Sequence, residues 1–263
     1  MFKKVLILSS IVCSTTIFSA ASLAQNNAKG DTKSDAKESQ WSGDIELGYI
    51  YKSGNTNEET ALLRQSIIYH TGNWLNTVRL KGDYGKEDGS ETSKAYYVTE
   101  QLDYKVAGTK NYSFLRGSYD RDLYNGFEYQ GTAVVGYGNH VVEKKDVSLK
   151  LELGLGYRDE RYDAVNTEVA IEEGRIHKNT EMMAYFSNEL VFTVSDAAEI
   201  GQSISIEYGN NNTVSRFNLY VKSNIIENVA VKVSYAFKHN TIAPPADPIK
   251  LDQDIITSLL YTF

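Results

Sequence analysis

The sequence predicts an all-β fold, a transmembrane antiparallel β-barrel of about twelve strands. Apolar and polar residues alternate with a period of two over long segments, as in strands with two different faces. Aromatic residues fall near the ends of those segments, where the two interfaces of a membrane would place them. No apolar run after the N-terminus approaches the ~20 residues that a spanning helix needs, and the mean hydropathy is −0.38, as alternation would produce.

Residues 1–24 are predicted to be a cleavable signal peptide. Lys3 and Lys4 precede an apolar stretch, and small residues end the segment, so we predict cleavage after Ala24; an uncleaved anchor helix is the alternative. The single cysteine, Cys13, lies inside this segment, so the mature chain would carry no thiol. The net charge of −7 would fall to −9 on removal of the two lysines, which argues against nucleic acid as a partner.

Residues 25–40 are polar, alternate in charge sign and offer almost nothing to bury, which predicts a disordered tail. The alternating texture then continues without a second boundary, so the barrel is predicted to span residues 41–263. The predicted strands lie near 44–52, 59–70, 74–84, 94–106, 112–121, 127–139, 146–157, 181–194, 198–208, 213–225, 229–238 and 253–263.

The connections between these strands alternate in length. With a periplasmic N-terminus, the short turns face the periplasm, and the longer loops, such as 158–179 and 239–250, face outside. The final strand ends on alternating apolar residues and a terminal aromatic: Leu259, Tyr261 and Phe263. We interpret these three residues as a signal read by the barrel-assembly machinery; an ordinary closing strand is the alternative.

The face opposite the apolar one carries charges of both signs in nearly every strand. The candidate lumen-lining charges are Asp44, Glu46, Arg64, Arg79, Lys81, Asp83, Asp103, Arg116, Asp120, Lys150, Glu152, Glu189, Glu207, Arg216, Lys222 and Lys232. They are compatible with a narrow channel for ions or small solutes linked to osmotic or salt conditions. The alternative is a structural, envelope-maintenance barrel that transports nothing because side chains plug its lumen.

Glu100 departs from the alternation. Its position falls among apolar residues on the lipid face, where a charge near the membrane midplane is costly. A bulge, a contact in an oligomer or a different register are the three explanations that the sequence leaves open.

No catalytic, cofactor-binding or metal-binding constellation stands out, so we predict no enzyme and no cofactor. None of the four histidines is followed two residues later by serine, the strand spacing that would place a nucleophile beside its base. An Asp/His arrangement in the outer loops stays open, and the acidic residues of 158–179 are interpreted as a solvated surface that could hold divalent cations beside lipopolysaccharide. The expected partners are outer-membrane lipid, lipopolysaccharide and the assembly machinery, and the expected location is the cell outer membrane.

Short glycine-aromatic motifs recur in a fixed order along the chain. They are Trp41-Ser-Gly-Asp-Ile-Glu-Leu-Gly-Tyr49, Ser53-Gly-Asn-Thr-Asn57, Tyr96-Tyr97 with Glu100, Gln101 and Tyr104, Gly117-Ser-Tyr-Asp-Arg-Asp122 and Gly136-Tyr-Gly138. In this order they resemble the putative salt-induced outer membrane protein family, over residues 41–263. The resemblance implies an outer-membrane barrel and no established activity, so it transfers no site residues.

Overall fold

A computed structural model describes residues 40–52, 58–124, 127–162, 178–242 and 251–263. The predicted signal peptide and nearly all of the predicted tail lie outside these residues. Twelve strands make up the described part: β1 (Trp41–Lys52), β2 (Glu58–Thr71), β3 (Trp74–Glu87), β4 (Ser90–Lys105), β5 (Asn111–Asp122), β6 (Phe127–Glu143), β7 (Val147–Tyr162), β8 (Lys178–Ser195), β9 (Ala198–Gly209), β10 (Thr213–Ile226), β11 (Val229–Asn240) and β12 (Leu251–Thr262).

The strands form one closed antiparallel barrel. Each strand pairs with its neighbour in the chain, and β12 pairs with β1 to close the sheet. The predicted fold class is therefore confirmed, including the number of strands. The closing ladder is the shortest, because it joins only Asp44–Gly48 to Ser258–Thr262, whereas the other ladders run almost the full length of their strands.

The alternation of the sequence divides the side chains between two surfaces. On β1, Leu47 and Tyr49 are exposed on the outer surface, whereas Glu46, next to Leu47, is buried inside the barrel. The same division holds on β7, where Leu153 and Leu155 are exposed and Glu152 is buried. The fold is thus inverted relative to a water-soluble protein, with an apolar exterior and a polar interior, as a barrel in lipid requires.

Aromatic rings mark both ends of the outer surface. The short turns lie at one end of the barrel, called here the turn end, and the longer connections lie at the other, the loop end. At the turn end Trp41 packs on Tyr69 with ring centroids 4.4 Å apart, and Trp74 packs on Tyr104 at 4.8 Å. Exposed tyrosines recur towards the loop end on β1, β3, β4, β5, β7 and β9. The two bands agree with the girdles that membrane barrels place at the interfaces.

Several strands continue beyond their predicted ends. The connection between the predicted strands 74–84 and 94–106 is a two-residue turn, in which Asp88 (φ 47°) and Gly89 (φ 80°) take the left-handed backbone that tight hairpins need. The predicted outer loop 158–179 was wrong at both ends, because β7 extends to Tyr162 and β8 begins at Lys178. The charged residues there resembled a solvated loop, but Arg158 and Glu160, two residues apart, face inward and are paired. Among the described residues, no helix is long and apolar enough to cross a membrane.

Candidate functional site in the barrel lumen

All sixteen candidate lumen-lining residues lie on the inward-facing side of their strands. The pairing sets this, because cross-strand partners share a face: Glu46 pairs with Arg64, Arg64 with Lys81 and Lys81 with Tyr97. The residues are not spread along an open passage, however. Most of them are gathered into hydrogen-bonded clusters, one of which reaches across the lumen.

Asp120 on β5 connects opposite sides of the barrel. The Nζ of Lys238 on β11 donates to Oδ2 of Asp120 at 2.7 Å, and the guanidinium of Arg216 on β10 donates to the same oxygen at 3.3 Å. Strands β5 and β11 are six strands apart in a barrel of twelve, so they are diametrically opposed. Lys238 also donates to Oε1 of Gln130 on β6 at 2.9 Å. Direct contacts therefore cross the lumen at this level, and we call these four residues the lumen bridge.

Aromatic rings pack against the lumen bridge. The guanidinium of Arg216 lies over the ring of Tyr97 on the opposite strand β4, 5.3 Å from its centroid, and also approaches Glu207 at 3.2 Å. Arg116 donates to the hydroxyl of Tyr97 at 3.1 Å and lies 5.6 Å from the centroid of the Tyr185 ring. A cation over an aromatic face is stabilised by the ring quadrupole, which is stronger where water is excluded.

A second cluster surrounds the buried carboxylate of Glu152 on β7. It accepts hydrogen bonds from the hydroxyls of Tyr112 and Ser187, each at 2.7 Å, and from the amide of Gln101 at 2.8 Å. The Nζ of Lys150 lies 3.5 Å away. Beside it, Tyr112 packs with Phe114, and Phe114 with the edge of Tyr185, so part of the lumen is filled by a small aromatic core.

The carboxylate of Glu46 on β1 gathers a third cluster. Lys232 donates to Glu46 at 2.8 Å, Ser258 at 2.7 Å and Arg64 at 3.1 Å. These partners come from β11, β12 and β2, so the cluster spans the seam where the barrel closes. A buried charge is tolerated only when it is paired and hydrogen-bonded in this way.

The sequence analysis missed a fourth cluster near the loop end. Arg158 is fully buried and donates to the backbone carbonyls of Asn212 and Glu207, both at 2.7 Å, while its guanidinium also lies 3.4 Å from Glu181. Glu160, also fully buried, accepts amide hydrogen bonds from Gln130, Asn179 and Asn212. The inward parity of Arg158 and Glu160, two and four residues beyond Gly156, is the signal that would have found them.

The lumen is more accessible nearer the turn end. Arg79 is exposed, and Glu189 keeps 45% of its side chain accessible although Lys150 binds it at 3.3 Å. The other predicted residues are half-buried or buried in local pairs: Lys81 with Asp83 at 2.9 Å, Lys222 with Glu199 at 3.1 Å, Asp103 with Gln101 at 2.9 Å, and half-buried Asp44 close to Arg79 in the register. We call the accessible part of the lumen around Arg79 and Glu189 the chamber.

Glycines opposite large rings allow this packing. A Cβ added to Gly138 would collide with the ring of Tyr112, and one added to Gly201 would collide with the ring of Tyr220. Both rings occupy the lumen over the glycine backbone. Within the described ranges, no group of three or more histidine, cysteine or acidic side chains is placed to hold a metal ion.

Comparison with protein families gives one match that covers most of the chain. The family described as "Protein of unknown function, DUF481" matches residues 45–263. Among curated proteins, the uncharacterized protein YdiY of Escherichia coli (strain K12) is 24% identical over 222 residues, which is 84% of this chain and 82% of that protein. The family membership that the sequence motifs predict is confirmed.

Solved outer-membrane barrels share the architecture at low sequence identity. The NanC porin has a TM-score of 0.50 and 8% identity, over 84% of this chain and 99% of the porin. The translocator domain of the autotransporter NalP from Neisseria meningitidis has a TM-score of 0.47 and 14% identity, over 87% of this chain and 90% of the domain. At these identities the likeness concerns the fold alone.

Proposed function

This chain belongs to the DUF481 family, and we propose that it acts in the bacterial outer membrane as a structural, envelope-maintenance barrel with a sealed lumen. One observation carries the proposal. The ion pair between Asp120 and Lys238 joins diametrically opposed strands at 2.7 Å, so a direct side-chain contact divides the lumen at that level. The apolar exterior and the two aromatic bands support the placement in a membrane.

Three further features support a seal rather than a selectivity filter. The bridging charges are balanced by pairing, since Asp120 contacts Lys238 and Arg216 while Arg216 also contacts Glu207, and the side chains of Asp120, Lys238 and Arg216 are only 12–20% exposed. The Glu152 cluster fills a neighbouring part of the lumen with rings. The buried Arg158 and Glu160 fill part of the lumen near the loop end through amide and carbonyl contacts. A filter would instead keep a ring of charge facing water.

Conductance of the folded barrel in a planar bilayer tests the proposal. We expect the wild-type barrel to be silent, and the double variant Arg216→Ser with Lys238→Ser to give discrete current steps, because it removes both side chains that cross the lumen. Lys222→Ser is the matched control, since Lys222 is an inward cation on β10 whose ion pair with Glu199 joins it to the neighbouring strand β9 and does not cross the lumen. Steps from the wild type would contradict the sealed lumen, whereas silence from the double variant would show that the lumen bridge is not the contact that seals it.

The chamber favours a second candidate, a gated ion channel that responds to osmotic or salt conditions. Arg79 and Glu189 stay accessible inside the barrel, as they would in the vestibule of a pore that opens when the lumen bridge breaks. The Debye length falls from about 8 Å at 0.15 M salt to about 3 Å at 1 M, so high salt weakens the part of the bridge's attraction that acts through water. Current steps from the wild type at high salt alone would favour this candidate over the permanent seal.

A further inference from the structure

The outer surface carries a polar pair in the middle of its apolar band. Glu100 on β4 lies midway between Tyr96 and Tyr104, which are on the same outward face, and its side chain is exposed. With four residues on each side and a strand tilt near 40°, the carboxyl lies about 10 Å from each aromatic band. The amide of Asn76 on β3, also on this face, donates to the Glu100 carboxyl at 3.0 Å.

The register leaves no local explanation for this position. Glu100 pairs with Val78 on β3 and with Gly117 on β5, and both ladders run regularly through it. A bulge and an altered register, two of the three explanations that the sequence left open, are therefore excluded. The remaining explanation is a contact with another molecule within the membrane.

Small residues form a notch beside Glu100. In the same row of the sheet, Glu100 is followed by Gly117 on β5 and Ala133 on β6, and Gly131 lies diagonally above. The barrel itself does not require these glycines. A Cβ added to Gly117 or Gly131 would meet nothing closer than 3.8 Å, whereas most of the inward glycines of β6, β7 and β9 are in contact with lumen side chains.

We propose that this surface, the Glu100 notch (Asn76, Glu100, Gly117, Gly131 and Ala133), is the contact through which two copies of the chain form a dimer in the membrane. A second copy fits because the notch is self-complementary. It offers a donor, the Asn76 amide, and an acceptor, the Glu100 carboxyl, side by side. A two-fold axis along the membrane normal places the donor of each copy opposite the acceptor of the other, as isologous interfaces require.

The small residues permit the close approach that this exchange needs. Association in lipid depends on packing between small side chains and on hydrogen bonds, because burial of apolar surface gives no advantage over contact with lipid tails. Asn76 and Glu100 share one hydrogen bond within the chain, and lipid tails cannot pair with the second amide N–H or the second carboxylate oxygen, whereas a second copy can. The inference rests on the membrane placement of the proposed function but not on the state of the lumen.

Cross-linking in membranes tests which face meets the partner. The chain contains a single cysteine, Cys13, outside the described residues, so the test uses Gly117→Cys and, as a matched control, Leu219→Cys in a Cys13→Ser background. Leu219 is exposed on the outer surface of β10, opposite β4. Because Gly117 lies one strand beyond Glu100 from the two-fold axis, the test uses a bifunctional thiol reagent rather than a direct disulfide. We expect a cross-linked dimer from Gly117→Cys and none above background from Leu219→Cys. Equal cross-linking of both, or of neither, would overturn the proposal.

Energy transfer between labelled copies in lipid vesicles tests the polar pair. We expect Glu100→Leu to weaken dimerisation about tenfold, since two symmetric hydrogen-bonded contacts are lost. Asn188→Leu is the control, because Asn188 is an outward residue of β8 that accepts from Gln202 at 3.2 Å but lies outside the notch. The gel mobility of unboiled samples verifies that each variant is folded.

Each outcome is decisive for the dimer. A wild-type barrel that stays monomeric at high protein density in vesicles would overturn it, as would a Glu100→Leu variant that dimerises as well as the wild type. Cross-linking of Gly117→Cys to a different membrane protein and never to a second copy would overturn it too. A conducting wild type would refute the sealed lumen and leave this result unaffected.

Discussion

The pair of Asp120 and Lys238 allows a quantitative test of the lumen bridge. The two side chains are 12% and 17% exposed, so they are largely withdrawn from water while remaining paired at 2.7 Å. Removal of one partner from a buried ion pair costs about 3–5 kcal/mol, because the other charge is left buried without compensation. Since some water still reaches these residues, we expect Asp120→Asn to lower the free energy of unfolding by about 3 kcal/mol, at the lower end of that range.

A double-mutant cycle isolates the contact from other effects. We expect Lys238→Met to cost less than Asp120→Asn, because the carboxylate of Asp120 keeps a second partner in Arg216. In the double variant, Asp120→Asn with Lys238→Met, no lysine is left buried beside a neutral amide. The two single-variant losses of stability are therefore not additive, and we expect a coupling energy of about 1–3 kcal/mol, as for groups in contact. The residues lie about 118 positions apart in the chain, so no local effect produces this coupling.

The assay is urea unfolding of the barrel in lipid vesicles, followed by the fluorescence of Trp41 and Trp74. Both tryptophans lie at the turn end, away from the mutated residues, so they report global unfolding. Losses that add within about 0.5 kcal/mol would refute the reasoning, because independent sites behave in that way. The Lys222→Met variant, which breaks a pair between neighbouring strands, gives the scale of a local contact.

Three further predictions follow from the packing. Gly201→Val should destabilise the barrel by about 1–3 kcal/mol because its side chain would displace a tyrosine ring, whereas Gly82→Val, with open space at the Cβ position, should be nearly neutral in the same urea assay. Glu152→Gln should cost about 3 kcal/mol, since the nearby lysine loses its buried partner; an unchanged midpoint would contradict this. Deletion of Phe263 should reduce the folded barrel recovered from membranes, because its backbone exchanges two hydrogen bonds with Gly43; unaltered yield would argue against an assembly role.

The sequence was sufficient for the wall of the barrel and insufficient for its interior. Alternation predicted the face of every candidate charge because the side-chain period of a strand is two. Which residues meet across the lumen depends on the stagger of the strands and the shape of the barrel cross-section, so nothing near Asp120 in the chain indicates Lys238 or Arg216. The many charged residues around Arg158 and Glu160 led the sequence analysis to predict a solvated loop there. Both side chains are in fact buried.

Glu100 is identified in the sequence because it breaks the alternation of apolar and polar residues. The sequence placed it on the outer face with three possible reasons, and only the register of the strands reduced them to one. The glycines beside it required the structure as well. Whether a glycine is demanded by its own chain, as at Gly138, or left free for another, as at Gly117, depends on neighbours that are remote in sequence.

The short seam between β1 and β12 has a consequence for how the barrel is made. Eleven ladders join strands that are consecutive in the chain, and each can form locally as a hairpin. The twelfth joins Asp44 to Thr262, more than two hundred residues away, with the fewest pairs to repay the loss of chain entropy. We therefore expect the consecutive strands to pair first into an open, curved sheet, and β1 to pair with β12 last. The terminal Phe263, whose backbone is hydrogen-bonded to Gly43, lies at the turn end of this seam and holds β12 against β1 there.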